Sequence, residues 1–199
     1  MNSKIITQGF DDQLVINTVQ SLHFKDLYLG FFYEKVEEEK LQNSAEGVIQ
    51  EFNEMYCDWA LEEILKLGLV TIYHFWERCL RRLFKDQSEI LNIPLTISER
   101  GKSFVQFSRE TLEEDFSCSI DDEIWSLINE SRKIVNAYKH GDSTRFQSIK
   151  SNYPYYFQNC AIDESSDLSE CFFLGRNNFE RLTSSIVDFW EKMPHTPRF

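Results

Sequence analysis

The sequence predicts an all-α protein: an up-and-down bundle of four to six helices with an irregular, aromatic-rich C-terminal segment and a final helix. Three observations predict it. Only seven Gly and four Pro punctuate 199 residues, too few for a turn-rich β architecture. Apolar residues recur at helical rather than alternating spacing over long stretches. The composition, 42% hydrophobic and 15% aromatic, supplies apolar surface enough for one core.

From Asp12 to about Lys40, the residues Leu14, Val15, Val19, Leu22, Leu29, Phe32, Tyr33 and Val36 keep helical spacing. This predicts a first long helix, broken near Gly30 and closing on the charged run Glu37-Glu38-Glu39-Lys40. After the polar pair Asn43-Ser44, the best helical pattern runs from about Ala45 to Lys85, with Leu61, Ile64, Leu65, Gly68, Ile72, Phe75, Trp76, Cys79 and Leu83 on one broad face. It has the character of a bundle's central helix. Pro94 biases Ile93 away from the α region, so a connection is expected between Asp86 and Ser98.

An amphipathic segment, Phe104 to Phe116, comes next. Ser119, ahead of Asp121-Asp122-Glu123, is the expected N-cap of a helix over 121–140, and Gly141 its C-terminal cap. Asp142-Ser143-Thr144 would cap a short helix to Ile149, Tyr153-Pro154-Tyr155-Tyr156-Phe157 is an irregular aromatic segment, and 158–171 a polar loop. Cys171 to Leu174 suggests a short extended piece. Asn177 to Met193 is a last helix with Phe179, Leu182, Ile186, Phe189 and Trp190 inward. The chain is expected to form one domain, a core bundle over about 12–141 with the extension 142–199 packed on it.

The formal net charge of −12 removes diffuse attraction to nucleic acid or to an anionic membrane, so any RNA-facing surface must be local. Cys57, Cys79, Cys118, Cys160 and Cys171 show neither CxxC spacing nor an even count, which suggests reduced thiols without zinc or a disulfide framework. The first residues are too short and polar for a signal peptide, and no apolar run reaches a membrane span. A cytoplasmic protein is expected, with no membrane partner, cofactor or metal.

The helix over 121–140 carries the most chemistry. Arg132, Asn136 and His140 recur every fourth residue and so form one polar stripe. Ile124, Leu127, Ile128, Ser131, Val135 and Tyr138 mark the expected buried face, and the stripe runs outward from its edge together with Trp125 and Asn129. Metal-independent RNA cleavage requires a base for the 2′-hydroxyl, an acid for the leaving 5′-oxygen and positive charge for the transition state. His140 serves as acid or base, Arg132 forks a phosphate, and Asn136 orients the imidazole or donates to phosphate. Lys139 adds charge. No activated Ser or Cys stands by for acyl transfer. A helix C-terminus that favours cations explains Lys139 and His140, but not Arg132 and Asn136 on the same line.

A second cluster, His74, Arg78, Arg81, Arg82 and Lys85, lies opposite the core line of the central helix. It is a candidate seat for an RNA backbone. The i, i+4 pairs Glu77/Arg81 and Arg82/Asp86 equally fit an ordinary ion-paired face. The aromatics of 153–157 and 172–174 suit core packing better than base stacking.

The stripe resembles the signature of HEPN domains, the helical ribonuclease and nucleotide-binding family of bacterial toxin–antitoxin and anti-phage systems. Their motif is an arginine, a polar residue, often asparagine, directly after it, and a histidine about one turn beyond. Asn136 and His140 match. Val135 stands in the arginine's place, and Arg132 offers a guanidinium one turn earlier, ~5 Å of rise away. The resemblance covers 55–85 and 121–140. It implies a four-helix bundle that dimerises with its motif helices facing each other, and a metal-independent endoribonuclease of cellular RNA restrained by an antitoxin or other defence-system protein. A non-catalytic helical interaction or regulatory subunit, and nucleotide binding without cleavage, stand as alternatives.

Overall fold

A computed structural model of the chain describes residues 3–42, 48–91, 95–141, 143–157 and 167–193. The protein is an all-α helical bundle with no strand among the described residues. Helix α1 (Ser3–Asp26) passes through a π-helical stretch, Leu27–Tyr33, into α2 (Glu34–Gln42). The expected break at Gly30 is therefore a local widening of the helix, which lets the chain continue instead of turning. The central helix is α3 (Val48–Leu91). It is followed by α4 (Phe104–Glu110) with a π-helical turn Thr111–Asp115, then α5 (Asp122–His140), α6 (Ser143–Asn152), a 3₁₀ turn Pro154–Phe157, and α7 (Arg176–Lys192).

Helices α1, α3, α5 and α7 form a ring in which each packs on the next and α3 meets α7 across the centre. Side-chain pairs fix the directions. Tyr28 shares a 3.0 Å hydrogen bond with Thr71 and Lys40 pairs with Asp58, so the first helix and α3 run antiparallel. The Tyr138 hydroxyl donates to Glu63 at 2.6 Å and Arg132 lies near enough to Tyr73 to act on its phenol, so α5 runs antiparallel to α3. The Trp125 ring meets Phe189 and Lys25 reaches Ser184 at 2.8 Å, which brings α7 up against both α5 and α1. Up-and-down topology results. The α7 helix, expected within an extension, completes this ring through Phe179, Leu182, Ile186, Phe189 and Trp190, all fully buried.

The densest crossing is at Gly68. A Cβ there would lie 2.8 Å from the Tyr28 ring and 2.9 Å from the Phe179 ring, so only the missing side chain lets α3 approach both neighbours.

Local differences from the sequence expectation have physical causes. Helix α3 overruns Lys85 because Gln87 is buried beyond it and the packed face continues. Ser119 does not cap α5. Buried Cys118 and Ile120 tie that stretch to the core, Asp121 takes the N-cap position without a side-chain hydrogen bond, and the helix begins at Asp122. Ser103, by contrast, caps α4 by accepting from the Gln106 N–H. Gly141 has φ 59° and donates to the Ala137 carbonyl at 2.9 Å, the left-handed cap that glycine adopts without strain.

The piece Cys171 to Leu174 forms no strand. It is held by the Phe173 N–H, which donates to the Tyr156 carbonyl at 2.9 Å, and by buried Phe172 and Leu174. Cys171 is disulfide-bonded, which corrects the expectation of five reduced thiols; Cys57, Cys79 and Cys118 are free. Expectations for Ala45 as a helix start, for Ile93-Pro94, for Asp142 as a cap and for the loop 158–166 lie outside the described residues. Among the described residues no helix is long and apolar enough to cross a membrane.

Candidate functional site

Helix α5 is fixed on its inner face before any polar group is placed. Ile124, Ile128, Ser131, Ile134, Val135 and Ala137 are buried, while Leu127 and Tyr138 are half-buried. Trp125, expected to accompany the outward stripe, is only 3% exposed and packs against Phe189. The indole is too large to leave in water beside an aromatic core. Val135 is 0% exposed. The position directly before Asn136 thus points into the bundle, and a guanidinium there would be buried without a partner.

Two polar anchors lock the helix. Glu130, missed from sequence, is buried and accepts from Arg181 (2.6 and 3.2 Å), Tyr155 (2.6 Å) and Tyr156 (2.7 Å). Burial, together with this carboxylate, pushes the Tyr155 phenol up to about 12 and Tyr156 upward as well. Near the other end of α5, Tyr138 bonds Glu63 while Lys66 pairs with Glu62 and Glu63. Burial followed by the Glu63 hydrogen bond raises Tyr138 to about 12.

On this frame Arg132, Asn136 and His140 line one cleft of about 400 Å³, joined by Lys133, Arg145 and Ser148. The stripe expected from spacing is therefore one surface. Arg145, like Lys133 and Ser148, was not expected at this site. The Gly141 cap reverses the chain so that α6 folds back along the end of α5, and the Arg145 guanidinium donates to the Asn136 carbonyl at 3.2 Å. Among the described residues that line this cleft none is acidic, although the chain carries a net −12, so their local field favours an anion.

Arg132 is steered by a 3.0 Å hydrogen bond from its Nε to Asn129 Oδ1, which leaves the two terminal nitrogens of its fork for other acceptors. Lys133 Nζ sits 5.2 Å from the centre of the Tyr153 ring. His140 is exposed at the helix end, and its imidazole bonds to no described side chain, Asn136 included. Catalytic hydrogen bonds commonly tighten only around a substrate. Lys139 is exposed one residue away and does not line the cleft.

The second basic cluster is divided by the bundle. Arg78 and Arg82 face α1 in a cleft with Gln13, Asn17, Gln20 and His23. Arg81 and Lys85 line a separate cleft with Glu99 and Phe107. Neither place contains a residue of the stripe. Arg81 is held by Glu77 and Glu99 (3.0 and 2.7 Å), Arg82 by Asp86 (3.3 Å), Lys85 by Glu89 (3.9 Å), and His74 lies 3.5 Å from Glu77. Arg78 instead sits over the Phe75 ring.

Burial pushes the Cys118 thiol up to about 11 and Cys79 upward too, so neither is a ready nucleophile. Among the described residues no three His, Cys, Asp or Glu side chains gather as a metal-ligand set. Compared with family models, with curated proteins and with solved structures, the chain matches none.

Proposed function

We propose that this protein is a HEPN-like, metal-independent endoribonuclease, a toxin or anti-phage effector that cleaves cellular RNA by general acid/base phosphoryl transfer. The observation that carries the reading is the single cleft shared by Arg132, Asn136, His140 and Arg145. His140 moves the proton, Arg132 and Arg145 take the scissile phosphate from two helices, and Asn136 donates to a phosphate oxygen or turns the imidazole once RNA is in place. Arg145 answers the displaced arginine of the motif. With Val135 buried, the second guanidinium reaches the cleft from α6. Arg78, Arg81, Arg82, Lys85 and Lys139 would guide the RNA backbone toward it, Arg78 with no carboxylate holding it among the described residues. In this reading the protein acts in the cytoplasm as a homodimer with facing α5 helices, restrained by an antitoxin or other defence-system protein.

A second reading, a non-catalytic interaction subunit, draws on a different surface. Val15, Val19 and Leu22 stand exposed at i, i+4, i+7 on α1, diagonally across the bundle from α5. An apolar row of this kind suits a protein partner.

Incubating the purified protein with total RNA in EDTA, beside His140→Ala and Arg132→Ala, separates the two. Products ending in 2′,3′-cyclic phosphate, lost in both variants, fit the ribonuclease. Cleavage that survives both substitutions would place the chemistry elsewhere. No cleavage under any activating condition would favour the interaction subunit.

A further inference from the structure

Arg132 faces two clefts. Beyond the cationic one, it also closes a cleft of about 460 Å³ between α4 and α5, lined by Ser103, Gln106, Trp125, Ser126 and Asn129, with Arg109 and Asp122 at one end. The two have opposite chemical character. In the first, the permanent cations Arg132, Lys133 and Arg145 gather beside Asn136 and His140, and none of its described lining residues is acidic. In the second, Arg109 is already held by Glu113 (2.9 Å) and Asp122 (2.6 Å), so apart from the shared Arg132 the lining is mainly amide, hydroxyl and indole.

We propose that this second cleft is a nucleobase subsite, and that Arg132 is the shared wall between a phosphate and the base flanking it. The proposal rests on the ribonuclease reading for its ligand, single-stranded RNA. Its chemistry stands on the lining itself. Gln106 and Asn129 present side-chain amides, groups that both donate and accept and so match the edge of an unstacked base. The Asn129 carbonyl oxygen is occupied by Arg132, which leaves its NH₂ to donate. Gln106 donates to Glu110 at 3.0 Å, which leaves its oxygen to accept. Trp125 lines the same cleft, and its buried indole N–H has no hydrogen-bond partner among the described residues. The centres of the two clefts are separated by about two turns of α5, ~12 Å, the reach of a dinucleotide and not of one phosphate. Arg132, whose Nε is turned toward Asn129, thus couples the position of the base to the position of the phosphate.

The test compares two probes on the full chain by two-dimensional ¹⁵N NMR: inorganic phosphate, and a dinucleotide made uncleavable by a 2′-deoxy sugar. Phosphate should shift the Asn136 side-chain amide and the Arg145 region and leave the Trp125 indole N–H in place. The dinucleotide should shift these and, in addition, the Gln106 and Asn129 amides and the Trp125 indole. The double variant Gln106→Ala with Ser126→Ala, which touches neither Arg132 nor the core, should weaken the dinucleotide about tenfold and leave phosphate affinity unchanged. Dinucleotide shifts confined to the Asn136 cleft, or unchanged dinucleotide affinity in the double variant, would overturn the subsite even if RNA is cleaved. Binding in both clefts by a protein that never cleaves would uphold the subsite and sink the ribonuclease reading.

Discussion

Glu130 and Arg181 form a two-pronged ion pair, 2.6 and 3.2 Å, in which the carboxylate is 4% exposed and the guanidinium 38% exposed. The pair joins α5 to α7 immediately behind the cationic cleft. Its asymmetry has an energetic consequence. Losing the arginine strands a buried carboxylate, whereas losing the carboxylate leaves a guanidinium that reaches water. Arg181→Met should therefore cost about 3 kcal/mol, and Glu130→Gln roughly half of that, with two tyrosine hydroxyls still able to bond the amide. Urea unfolding midpoints check the order; equal losses would show that the pair is not the asymmetric lock described.

Alkaline pH should loosen the same region. Tyr155 and Tyr138 are both raised to about 12, chiefly by burial and then by Glu130 and Glu63 respectively. A phenol whose folded pKa lies above its unfolded value, about 10, adds stability that is fully present below pH 10 and lost as pH rises through 12. Ultraviolet titration should find these phenols still neutral at pH 11, when exposed tyrosines are ionised, and stability should fall between pH 10 and 12. Tyr155→Phe and Tyr138→Phe should flatten that fall.

Much of this was legible in the sequence. Helical spacing located α7 to within a residue and α3 as the long central helix, though α3 runs on to Leu91, because each buries a continuous face, and Gly141 marked the end of α5 through its left-handed backbone. The stripe on α5 was legible for the same reason, since periodicity alone puts Arg132, Asn136 and His140 together. Arg145 was not, because its place depends on how sharply the chain turns after Gly141. Glu130 was hidden as well. A glutamate in a helix reads as solvent-facing until a distant Arg181 and two tyrosines are brought to it. Trp125 misled in the opposite sense, sitting at the edge of the helical face where α7 happens to cover it.

Gly68→Ala should destabilise the bundle even though alanine favours helix. The new methyl would meet the Tyr28 and Phe179 rings at 2.8 and 2.9 Å, an overpacking of about 1–3 kcal/mol set against ~1 kcal/mol gained from propensity. A fall in Tm of a few degrees is expected. An unchanged or raised Tm would mean that the α1–α3–α7 crossing yields readily.

Arginines in the two basic regions should behave differently toward RNA. Arg81 is already satisfied by Glu77 and Glu99, so Arg81→Ala should change kcat/KM for an oligoribonucleotide by less than about twofold. Arg145→Ala removes a cation that lines the same cleft as Arg132, Asn136 and His140 and should lower it by about tenfold or more. Steady-state kinetics at fixed salt compares them directly.

The cationic cleft as a phosphoryl-transfer site is tested most directly by single-turnover cleavage of a short oligoribonucleotide in EDTA, with the wild type and His140→Ala at saturating protein. The expected result is a rate at least ~10²-fold lower in the variant, with RNA affinity nearly unchanged because Arg132, Lys133 and Arg145 are intact. Equal cleavage rates in the two proteins would contradict it.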